Sequence, residues 1–368
     1  MATNAAEQDG ERDQISQSLL PTSFACSSLS RLSGGTANYV YRGTLSGSTK
    51  SIIIKHTKGH SASNPDFKID SKRCHFEVAI LRALSGLPPY SEAGVTVKAP
   101  ELLHFDAETD TQIVEDLPDS VDLKTFLLSN VSSDVSKASA EAVGRALGSW
   151  LRSFHDWGNS KDQLGCKATL GENESMKQLK FWVNYTMLID TIANFPNILD
   201  QSRDVFEQVR DFAATELTKE NHDDGFGIIH GDFWTGNVLI PNVAIGSHFD
   251  TTLFVVDWEL AQIGSRALDL GQMIAELYET KLFKEVEAGV WIIEGLLQGY
   301  GGLSDEMAFR TAIHVGVHLI CWGSRVPGWG SKEQIEEVVK IGNDMVIGGW
   351  AKDKQWFESH ELGFFFKK

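Results

Sequence analysis

Cysteine is scarce in this chain, and its placement excludes two kinds of small scaffold. The 368 residues include only four cysteines, Cys26, Cys74, Cys166 and Cys321, which lie far apart and form no C-x-x-C pair. A disulfide framework or a zinc cage needs cysteines at close, paired spacings. We therefore expect reduced thiols in an intracellular protein. At 40.6 kDa and 42% hydrophobic residues, the chain is long enough for two domains with apolar cores.

Positive charge and long apolar runs are lacking as well. Thirty-three Lys and Arg against fifty Asp and Glu give a net charge of −17. A surface of this sign repels nucleic acid and anionic lipid. Glu276 and Glu294 interrupt the apolar stretches 270–277 and 290–297, so no run approaches the ~18 residues of a membrane span. The polar N-terminus does not resemble a signal peptide. We expect a cytoplasmic protein that binds neither nucleic acid nor membranes.

Internal repeats and low-complexity tracts are absent, so changes in hydrophobic periodicity must reveal the organisation. Residues 1–21 predict a flexible tail and lead-in. Residues 22–117 predict a small antiparallel sheet with one helix after its third strand, and residues 118–368 are mainly helical around a short β-type island. The predicted N-lobe elements are a hairpin over 39–55, a helix ending before Pro88 and Pro89, and strands at 101–105 and 112–115. The fold class is therefore α+β.

Polar clusters follow two apolar segments of the island. The sequence I-I-H-G-D-F-W-T-G-N-V-L-I covers residues 228–240, and L-F-V-V-D-W-E covers residues 253–259. This pattern places Asp232, Asn237 and Asp257 at strand ends, where oxygen ligands can bind Mg²⁺ or a carboxylate can orient a hydroxyl. Either cluster alone is as often a turn or a helix cap. Their combination indicates phosphoryl transfer from ATP.

The spacing H-x-D-x-x-x-x-N, followed by a strand that ends in Asp, resembles the catalytic and metal loops of protein-kinase-like phosphotransferases. H-G-D-x-x-x-x-N-V-L with D-W-E is similar to the aminoglycoside phosphotransferase and choline kinase family. The resemblance implies a bilobal protein-kinase-like fold that binds ATP between its lobes. It makes Asp232, in the loop with His230, the catalytic base, and Asn237 and Asp257 the magnesium ligands. It also implies that Asp269 supports the catalytic loop, with a plain helix cap as the alternative.

The resemblance extends to the first lobe, over about residues 30 to 275. It assigns nucleotide-binding roles to Gly34, Gly35 and Asn38 of a glycine loop, to Lys55 and its partner Glu77, and to Glu115 and Leu117 of an adenine-binding hinge. Glycines let backbone N–H groups approach phosphate oxygens, although two adjacent glycines alone are more often an ordinary hairpin turn. The stronger support for the resemblance is that the motifs occur along the chain in the order that the family has. No G-x-x-x-x-G-K-[ST] motif occurs, which disfavours a P-loop protein.

The acceptor is expected to be a small molecule, because the A-P-E motif and activation loop of protein kinases are missing. Segments 31–35, 51–56, 66–69 and 257–260 look similar to fungal kinases related to methylthioribose kinase, including the hydroxytryptamine kinase of psilocybin biosynthesis. That resemblance suggests an amino-alcohol, a hydroxylated amine or a methylthioribose-like sugar as acceptor. The candidate acceptor-site residues are Trp234, Glu259 and Trp322.

Two other functions remain open at this stage. The chain could be a catalytically inactive nucleotide-binding module, although Lys55, Asp232 and the metal positions are all filled. It could also be a metal-dependent phosphohydrolase, in which Lys55 would have no obvious task. His314 and His318 stand four residues apart but lack the Glu of H-E-x-x-H, so helix packing is favoured over a metal site.

Overall fold

The structure is a computed structural model that describes residues 2–32, 35–129, 135–218, 225–244 and 250–366. The chain forms two compact units. Unit one comprises Met1–Ser85 and Pro100–Pro118, and unit two comprises Gly86–Ala99 and Asp119–Lys368. Residues 86–99, which the sequence analysis assigned to the N-lobe, are therefore part of unit two.

Unit one is built on a five-stranded antiparallel sheet. Its elements are α1 (Ala2–Leu19), β1 (Cys26–Arg31), β2 (Tyr39–Leu45), β3 (Ser51–His56), α2 (Arg73–Leu84), β6 (Leu102–Asp106) and β7 (Thr111–Glu115). The strand order in the sheet is β1-β2-β3-β7-β6. Alternate residues of β2 and β3, such as Tyr39, Tyr41 and Ile54, are buried in its core, as the period of a half-buried strand requires. The predicted hairpin, helix and two later strands are all present.

Helix α1 corrects the expectation of a flexible tail at residues 1–21. Ile15 and Leu19, one helical turn apart, are buried in the core of unit one. The carboxylate of Glu11 contacts the Lys58 ammonium and lies 3.3 Å from His56 Nε2. Among residues 10–19 of this polar helix, whose side chains the structure describes, Glu11, Ile15 and Leu19 are buried, so the sequence carries almost no amphipathic signal. Its stability comes from tertiary contacts instead.

Unit two combines a mixed sheet with many helices. Its elements are β4 (Tyr90–Glu92), β5 (Val95–Lys98), β8 (Ser120–Asp122), α3 (Leu123–Leu128), α4 (Lys137–Gly158), α5 (Leu164–Gly171), α6 (Glu174–Phe181), α7 (Met187–Thr191), α8 (Pro196–Leu199), α9 (Arg203–Thr218), β9 (Phe226–Ile229), β10 (Val238–Pro241), β11 (Thr251–Val255), β12 (Gln262–Ser265), α10 (Ala267–Lys284), α11 (Glu287–Tyr300), α12 (Asp305–His318), α13 (Lys332–Trp350) and α14 (Lys354–Ser359). The sheet order is β4-β5-β11-β10-β8, and β9 pairs with β12 separately. Only β5 and β11 of the larger sheet run parallel.

Two long helices of unit two pack with their backbones in close contact. A Cβ added at Gly144 or Gly148 of α4 would meet the carbonyl of Ile292 or Leu296 in α11. Glycine is required there because the helices leave no room for a side chain. In the part of the chain that the structure describes, no helix is both long and apolar enough to cross a membrane.

Candidate active site

One buried carboxylate anchors the loop that carries Asp232. Asp269, in the first turn of α10, accepts hydrogen bonds from the backbone N–H groups of His230 at 2.8 Å and Gly231 at 2.9 Å. Gly231 has φ +80°, and a Cβ there would collide with the carbonyl of Leu260. Only glycine fits this turn. The helix cap is Arg266, so Asp269 contacts the loop and does not cap its own helix.

A buried histidine completes the surroundings of Asp269. His155 Nε2 lies 3.1 Å from Asp269 Oδ2, and His155 Nδ1 lies 2.9 Å from the hydroxyl of Tyr300. Burial lowers the pKa of His155, so the neutral ring donates through Nε2 and accepts from Tyr300. Burial by itself raises the pKa of Asp269, but the hydrogen bond from His155 and those of the loop hold this pKa below its ordinary value. Asp269 is therefore an ionised carboxylate with three donors.

His230 holds the loop through both of its ring nitrogens. Nε2 lies 3.0 Å from the carbonyl oxygen of Val256, and Nδ1 accepts the backbone N–H of Asp232 at 3.2 Å. Its ring centroid lies 4.3 Å from that of Trp258. Burial lowers the pKa of His230, in agreement with a neutral ring that carries its proton on Nε2. These contacts position the backbone of Asp232.

Both carboxylate oxygens of Asp232 are held by amide groups, while the side chain stays 28% exposed. Gln272 Nε2 donates to Oδ1 at 2.7 Å, and Asn237 Nδ2 donates to Oδ2 at 3.1 Å. Asn237 Nδ2 also donates to the backbone oxygen of Asp232 at 2.9 Å. Both hydrogens of the Asn237 amide are thus used, so its oxygen is the atom that it can offer to a cation.

Asp257 lies beside Asn237 in the sheet but has an unusual backbone. The pairing of β10 with β11 puts Val238 opposite Val255, and the N–H of Val256 donates to the carbonyl of Asn237 at 2.9 Å. Asp257, the next residue, has φ 66° and ψ 64°. This left-handed conformation is uncommon for a residue with a side chain and occurs preferentially at functional sites. The two predicted metal ligands, Asn237 and Asp257, therefore lie at the same end of the β10–β11 strand pair.

In unit one, Lys55 and Glu77 form the predicted ion pair. The Lys55 ammonium lies 2.8 Å from both carboxylate oxygens of Glu77, and Gln112 donates to Glu77 Oε2 at 2.9 Å. The two charged side chains are only 10% and 4% exposed. A buried pair with good hydrogen-bond geometry holds its members in one orientation. Gln112, the cross-strand neighbour of Lys55, was not predicted.

The predicted glycine loop is only partly within the described residues. Gly34 lies outside them. A side chain at Gly35 would meet Val40 Cγ2 at 3.4 Å and the backbone oxygen of Asn38 at 3.8 Å, so packing does not demand glycine there. The buried Asn38 accepts hydrogen bonds from Thr57 and Arg73, both at 2.9 Å. Both hydrogen bonds use the amide oxygen of Asn38 and fix the position of this side chain.

The predicted hinge overlaps the end of β7, whose last residue is Glu115. The N–H of Glu115 donates to the carbonyl of Glu101 at 2.8 Å. Arg42 binds Asp116 through two hydrogen bonds of 2.8 and 2.9 Å, and it also lies 3.5 Å from the carbonyl of Leu117. A bidentate guanidinium fixes the carboxylate geometry. Arg42 and Asp116 thereby order the segment in which Glu115 and Leu117 lie.

The three predicted acceptor residues have different surroundings in unit two. The Lys124 ammonium lies 5.3 Å from the ring centroid of Trp234. Glu259 is buried, with 4% exposure, in the short helix after Asp257. Trp322 is 37% exposed, and its Nε1 donates to the side chain of Asn184 at 3.3 Å. The ring of Trp322 stacks on His318 with the centroids 6.1 Å apart, and both Lys124 and His318 contact the cluster described next.

Helix α10 presents an acidic cluster that the sequence analysis missed. Asp269, Gln272, Glu276 and Glu279 have the spacing of one helix face. Lys124 and His318 both contact Glu276 at 3.0 Å. Burial by itself raises the pKa of Glu276, but these two contacts outweigh burial and hold this pKa below its ordinary value. Burial and the neighbouring Glu276 raise the pKa of Glu279 well above its ordinary value. Among the described residues, Glu279 Oε1 has no hydrogen-bond partner.

His314 and His318 have separate packing partners on α12. His314 Nδ1 lies 2.9 Å from the Tyr185 hydroxyl, whereas His318 Nε2 lies 3.0 Å from Glu276 Oε1. Burial lowers the pKa of His314 well below its ordinary value. These contacts agree with the helix-packing interpretation. The i, i+4 spacing alone could not show which partners the two rings have.

Lys180 is a second feature that the sequence analysis missed. This residue of α6 is 5% exposed, and its ammonium donates to Gln272 Oε1 and lies 4.0 Å from Asp232 Oδ1. Burial lowers the pKa of Lys180, against the attraction of Asp232. No motif marks Lys180 because it is about fifty residues before the loop that it approaches. A lone lysine in a helical segment carries no sequence signal of its own.

Comparison with known proteins finds a family match, relatives and similar folds. The phosphotransferase enzyme family (APH) matches residues 28–309. Phosphotransferase FrzJ of Cladobotryum sp is 32% identical over 373 residues, which cover 96% of both chains, and the 4-hydroxytryptamine kinase of Psilocybe cyanescens is 26% identical over 88% of both chains. Among solved structures, a GDP complex of a mutant aminoglycoside 2'-phosphotransferase-IIIa aligns with TM-score 0.51 and 13% identity, covering 95% of this chain and 98% of that one.

These similarities confirm three predictions from the sequence. The structural likeness confirms the protein-kinase-like α+β fold. The family match and the named relatives confirm the recognised family and the enzyme class, a phosphotransferase that acts on an alcohol group of a small molecule. Because the family matches more than half of the chain, and a relative of 32% identity covers nearly all of it, this protein belongs to the phosphotransferase enzyme family.

Proposed function

We propose that this protein is an ATP- and Mg²⁺-dependent kinase that transfers the γ-phosphate to a hydroxyl group of a small cationic acceptor. The observation that carries the proposal is the placement of Asp232. Its loop is anchored on the buried Asp269, and its carboxylate is oriented by Gln272 and Asn237 while remaining partly exposed. A carboxylate held in this way is suited to orient a hydroxyl and accept its proton.

Asp232 performs the proton step in this mechanism. Each of its oxygens receives one amide hydrogen bond, which leaves lone pairs for the acceptor hydroxyl. His230 is neutral and engaged at both nitrogens, so it is not a competing base. Asp232 accepts the hydroxyl proton as the oxygen attacks the γ-phosphorus of ATP, and the bond from that phosphorus to the leaving ADP oxygen breaks. Asp269 keeps the loop in the required conformation.

The residues around Asp257 fit a magnesium ion. The left-handed backbone of Asp257 holds a carboxylate at a strand end, and Asn237 offers an amide oxygen across the same strand pair. Oxygen atoms of this kind are the ligands that Mg²⁺ prefers. Asn237 and Asp257 would hold the ion, which supplies positive charge that offsets the charge of the transferring phosphate. In unit one, Lys55, oriented by Glu77, would supply a second positive charge to the nucleotide phosphates.

The acidic face of α10 favours a cationic acceptor over a neutral sugar. Glu276 is already paired with Lys124, whereas Glu279 is buried and its Oε1 has no hydrogen-bond partner among the described residues. A substrate ammonium beside Glu279 would favour the ionised carboxylate against the burial and the neighbouring Glu276 that raise its pKa. Trp322 and Trp234, which lie beside His318 and Lys124, supply aromatic surface for an organic cation. The 4-hydroxytryptamine kinases, which are named for a hydroxylated amine, are among the relatives.

The test is a matched acceptor panel with ATP and Mg²⁺. Each amine, such as 4-hydroxytryptamine or ethanolamine, is paired with a neutral analogue that lacks the ammonium, and methylthioribose is included. ADP release is measured with and without acceptor, and the phosphorylated product is identified by mass spectrometry. We expect acceptor-dependent ADP release for amines only. Equal ADP release without acceptor would indicate a phosphohydrolase, and no release with any compound would indicate an inactive module.

One substitution tests the proposed acceptor class separately. Glu279→Gln keeps the shape of the side chain but removes the carboxyl group that a bound ammonium would hold ionised, so it should raise KM for the amine acceptor about tenfold or more and leave KM for ATP nearly unchanged. Glu358→Gln, on the short helix α14, is the control for removal of one surface carboxylate. An unchanged acceptor KM in Glu279→Gln would show that the ammonium binds elsewhere.

A further inference from the structure

We infer that Lys180 is a positioning residue for Asp232 and acts through the side-chain amide of Gln272. Neither Lys180 nor Gln272 belongs to a motif of the predicted site. The inference rests on the proposed function, in which Asp232 is the base, and it adds a connection between α6, α10 and the catalytic loop. It explains why an ammonium group is buried next to this loop.

The geometry is a chain of two hydrogen bonds. The ammonium of Lys180 donates to Gln272 Oε1, and Gln272 Nε2 donates to Asp232 Oδ1 at 2.7 Å. The Lys180 nitrogen itself stays 4.0 Å from Asp232 Oδ1, beyond hydrogen-bond distance. Lys180 therefore attracts the carboxylate through its charge and is linked to it by hydrogen bonds only through the amide that lies between them.

The chemistry of an amide makes this arrangement directional. An ammonium can only donate hydrogen bonds, so it selects the orientation in which the oxygen of Gln272 faces Lys180. The nitrogen of the same amide must then face Asp232, where it donates. The carboxylate of Asp232 only accepts and selects the same orientation, so without the ammonium the amide is held from one side alone and its oxygen loses a donor. Lys180 and Asp232 together thus fix the amide of Gln272, and Gln272 positions the Asp232 carboxylate.

The burial of Lys180 indicates that this contact matters for more than packing. Removing an ammonium from water carries a large free-energy cost unless the group is paired and hydrogen-bonded. The charges that attract Lys180 are the carboxylates of Asp232, Asp269 and Glu276. All three belong to the loop and the helix face of the proposed site. One turn earlier on α6, Lys177 instead donates to the carbonyl of Leu217 at 3.3 Å and provides a matched control.

The kinetic test compares Lys180→Met with Lys177→Met, which removes a similar ammonium from the same helix. We expect Lys180→Met to slow single-turnover phosphate transfer at least about tenfold, with KM for ATP changed less than about twofold, and Lys177→Met to match the wild type. Lys180→Arg should recover part of the rate. Equal transfer rates in the two methionine variants would overturn the inference.

A double-mutant cycle separates the two-step connection from independent effects. If Lys180 acts through Gln272, the variant that combines Lys180→Met with Gln272→Met should be no slower than the slower single variant. Rate losses that multiply in the double variant would overturn the proposed connection. Should Lys180→Met fail to fold, Gln272→Glu replaces it, because this side chain can still pair with Lys180 but cannot donate to Asp232. A wild-type rate of phosphate transfer in Gln272→Glu would also contradict the inference.

A spectroscopic measurement tests the hydrogen bonds without any acceptor. The side-chain NH₂ signals of Gln272 are assigned in a ¹⁵N–¹H spectrum of the wild type as those lost in Gln272→Met. We expect these signals to shift in Lys180→Met and in Asp232→Ala but not in Lys177→Met. If the Gln272 NH₂ signals did not shift in Lys180→Met, the proposed connection would be overturned. A wild-type protein that transfers no phosphate to any compound refutes the proposed function instead, and the NH₂ signals still decide whether the connection exists.

Discussion

The carboxylate of Asp269 accepts the backbone N–H of His230 at 2.8 Å, although the two residues are separated by 39 positions in the chain. The N–H of Gly231 points at the other oxygen of the same carboxylate. Two successive amides can converge on one carboxylate only if the chain turns sharply, which the positive φ of Gly231 allows. The shape of the catalytic loop therefore depends on one buried negative charge.

Asp269→Asn should destabilise the protein and slow phosphate transfer together. An Asn side chain has one oxygen, so its NH₂ group must face at least one of the three donors that Asp269 now accepts. Breaking a buried charged network of this kind should lower the free energy of unfolding on the order of 3 kcal/mol. Urea unfolding measures the change. Asp211→Asn is the control, because Asp211 is exposed and, among the described residues, pairs with its neighbour Arg210. Equal stability in the two variants would contradict the anchoring role.

Asp232→Asn and Lys55→Met should affect different steps. Asp232→Asn keeps the size of the side chain but cannot accept the hydroxyl proton, so single-turnover transfer should fall by at least ~10²-fold while calorimetric ATP·Mg²⁺ affinity stays nearly the same. Lys55→Met removes a charge that meets the phosphates before reaction, so both affinity and rate should fall. Lys50→Met is the control on the exposed turn before β3. Transfer at a near wild-type rate in Asp232→Asn would show that the base lies elsewhere.

Asp257→Ala should abolish the dependence of nucleotide binding on magnesium. The substitution removes the proposed charged ligand and also the side chain that occupies the left-handed position. Asn237→Ala removes a neutral ligand and one donor to Asp232, so it should weaken magnesium dependence more mildly. Titration of Mg²⁺ against ADP affinity measures both effects. If Asp257→Ala retained the magnesium dependence of the wild type, the metal assignment would be wrong.

The protein should lose stability as the pH falls below about 6.5. Burial lowers the pKa values of His155, His230 and His314 from the model-peptide value of 6.5, so the unfolded chain binds more protons than the folded chain just below that pH. Their contribution is fully present above pH 6.5 and decreases as the pH falls toward the folded-state values. Melting temperatures between about pH 7.5 and about 5.5 measure the slope.

Two histidine variants make the pH prediction specific. His314→Gln removes one buried titrating group and should make the slope of melting temperature against pH shallower, whatever its effect on the absolute value. His104→Gln changes an exposed histidine and should leave the slope as it is. A slope that responds equally to both substitutions would show that the buried rings do not cause it.

Local sequence was sufficient to predict the β2–β3 hairpin and helix α2. Buried residues alternate along Tyr39–Leu45, and apolar residues recur at helical spacing in Arg73–Leu84, so each pattern needs only its immediate neighbours. The H-G-D loop, Asn237 and Asp257 were likewise found from spacing within about thirty residues. Strands β4 and β5 were not predicted, because β4 pairs with β5, and the pairing of β5 with β11 joins residues more than 150 positions apart.

The sequence by itself determined the α+β class, the family and the loop residues whose chemistry points to phosphoryl transfer, because short motifs and hydrophobic periods are local properties. Only the tertiary structure decided that α1 packs into the core of unit one through Ile15 and Leu19. It also decided that His155 supports Asp269, and that Lys180 and Gln272 lie next to Asp232. Each of these contacts joins elements far apart in the chain. A buried Lys or His is stabilised by whichever partner the fold brings to it, and no local pattern records that partner.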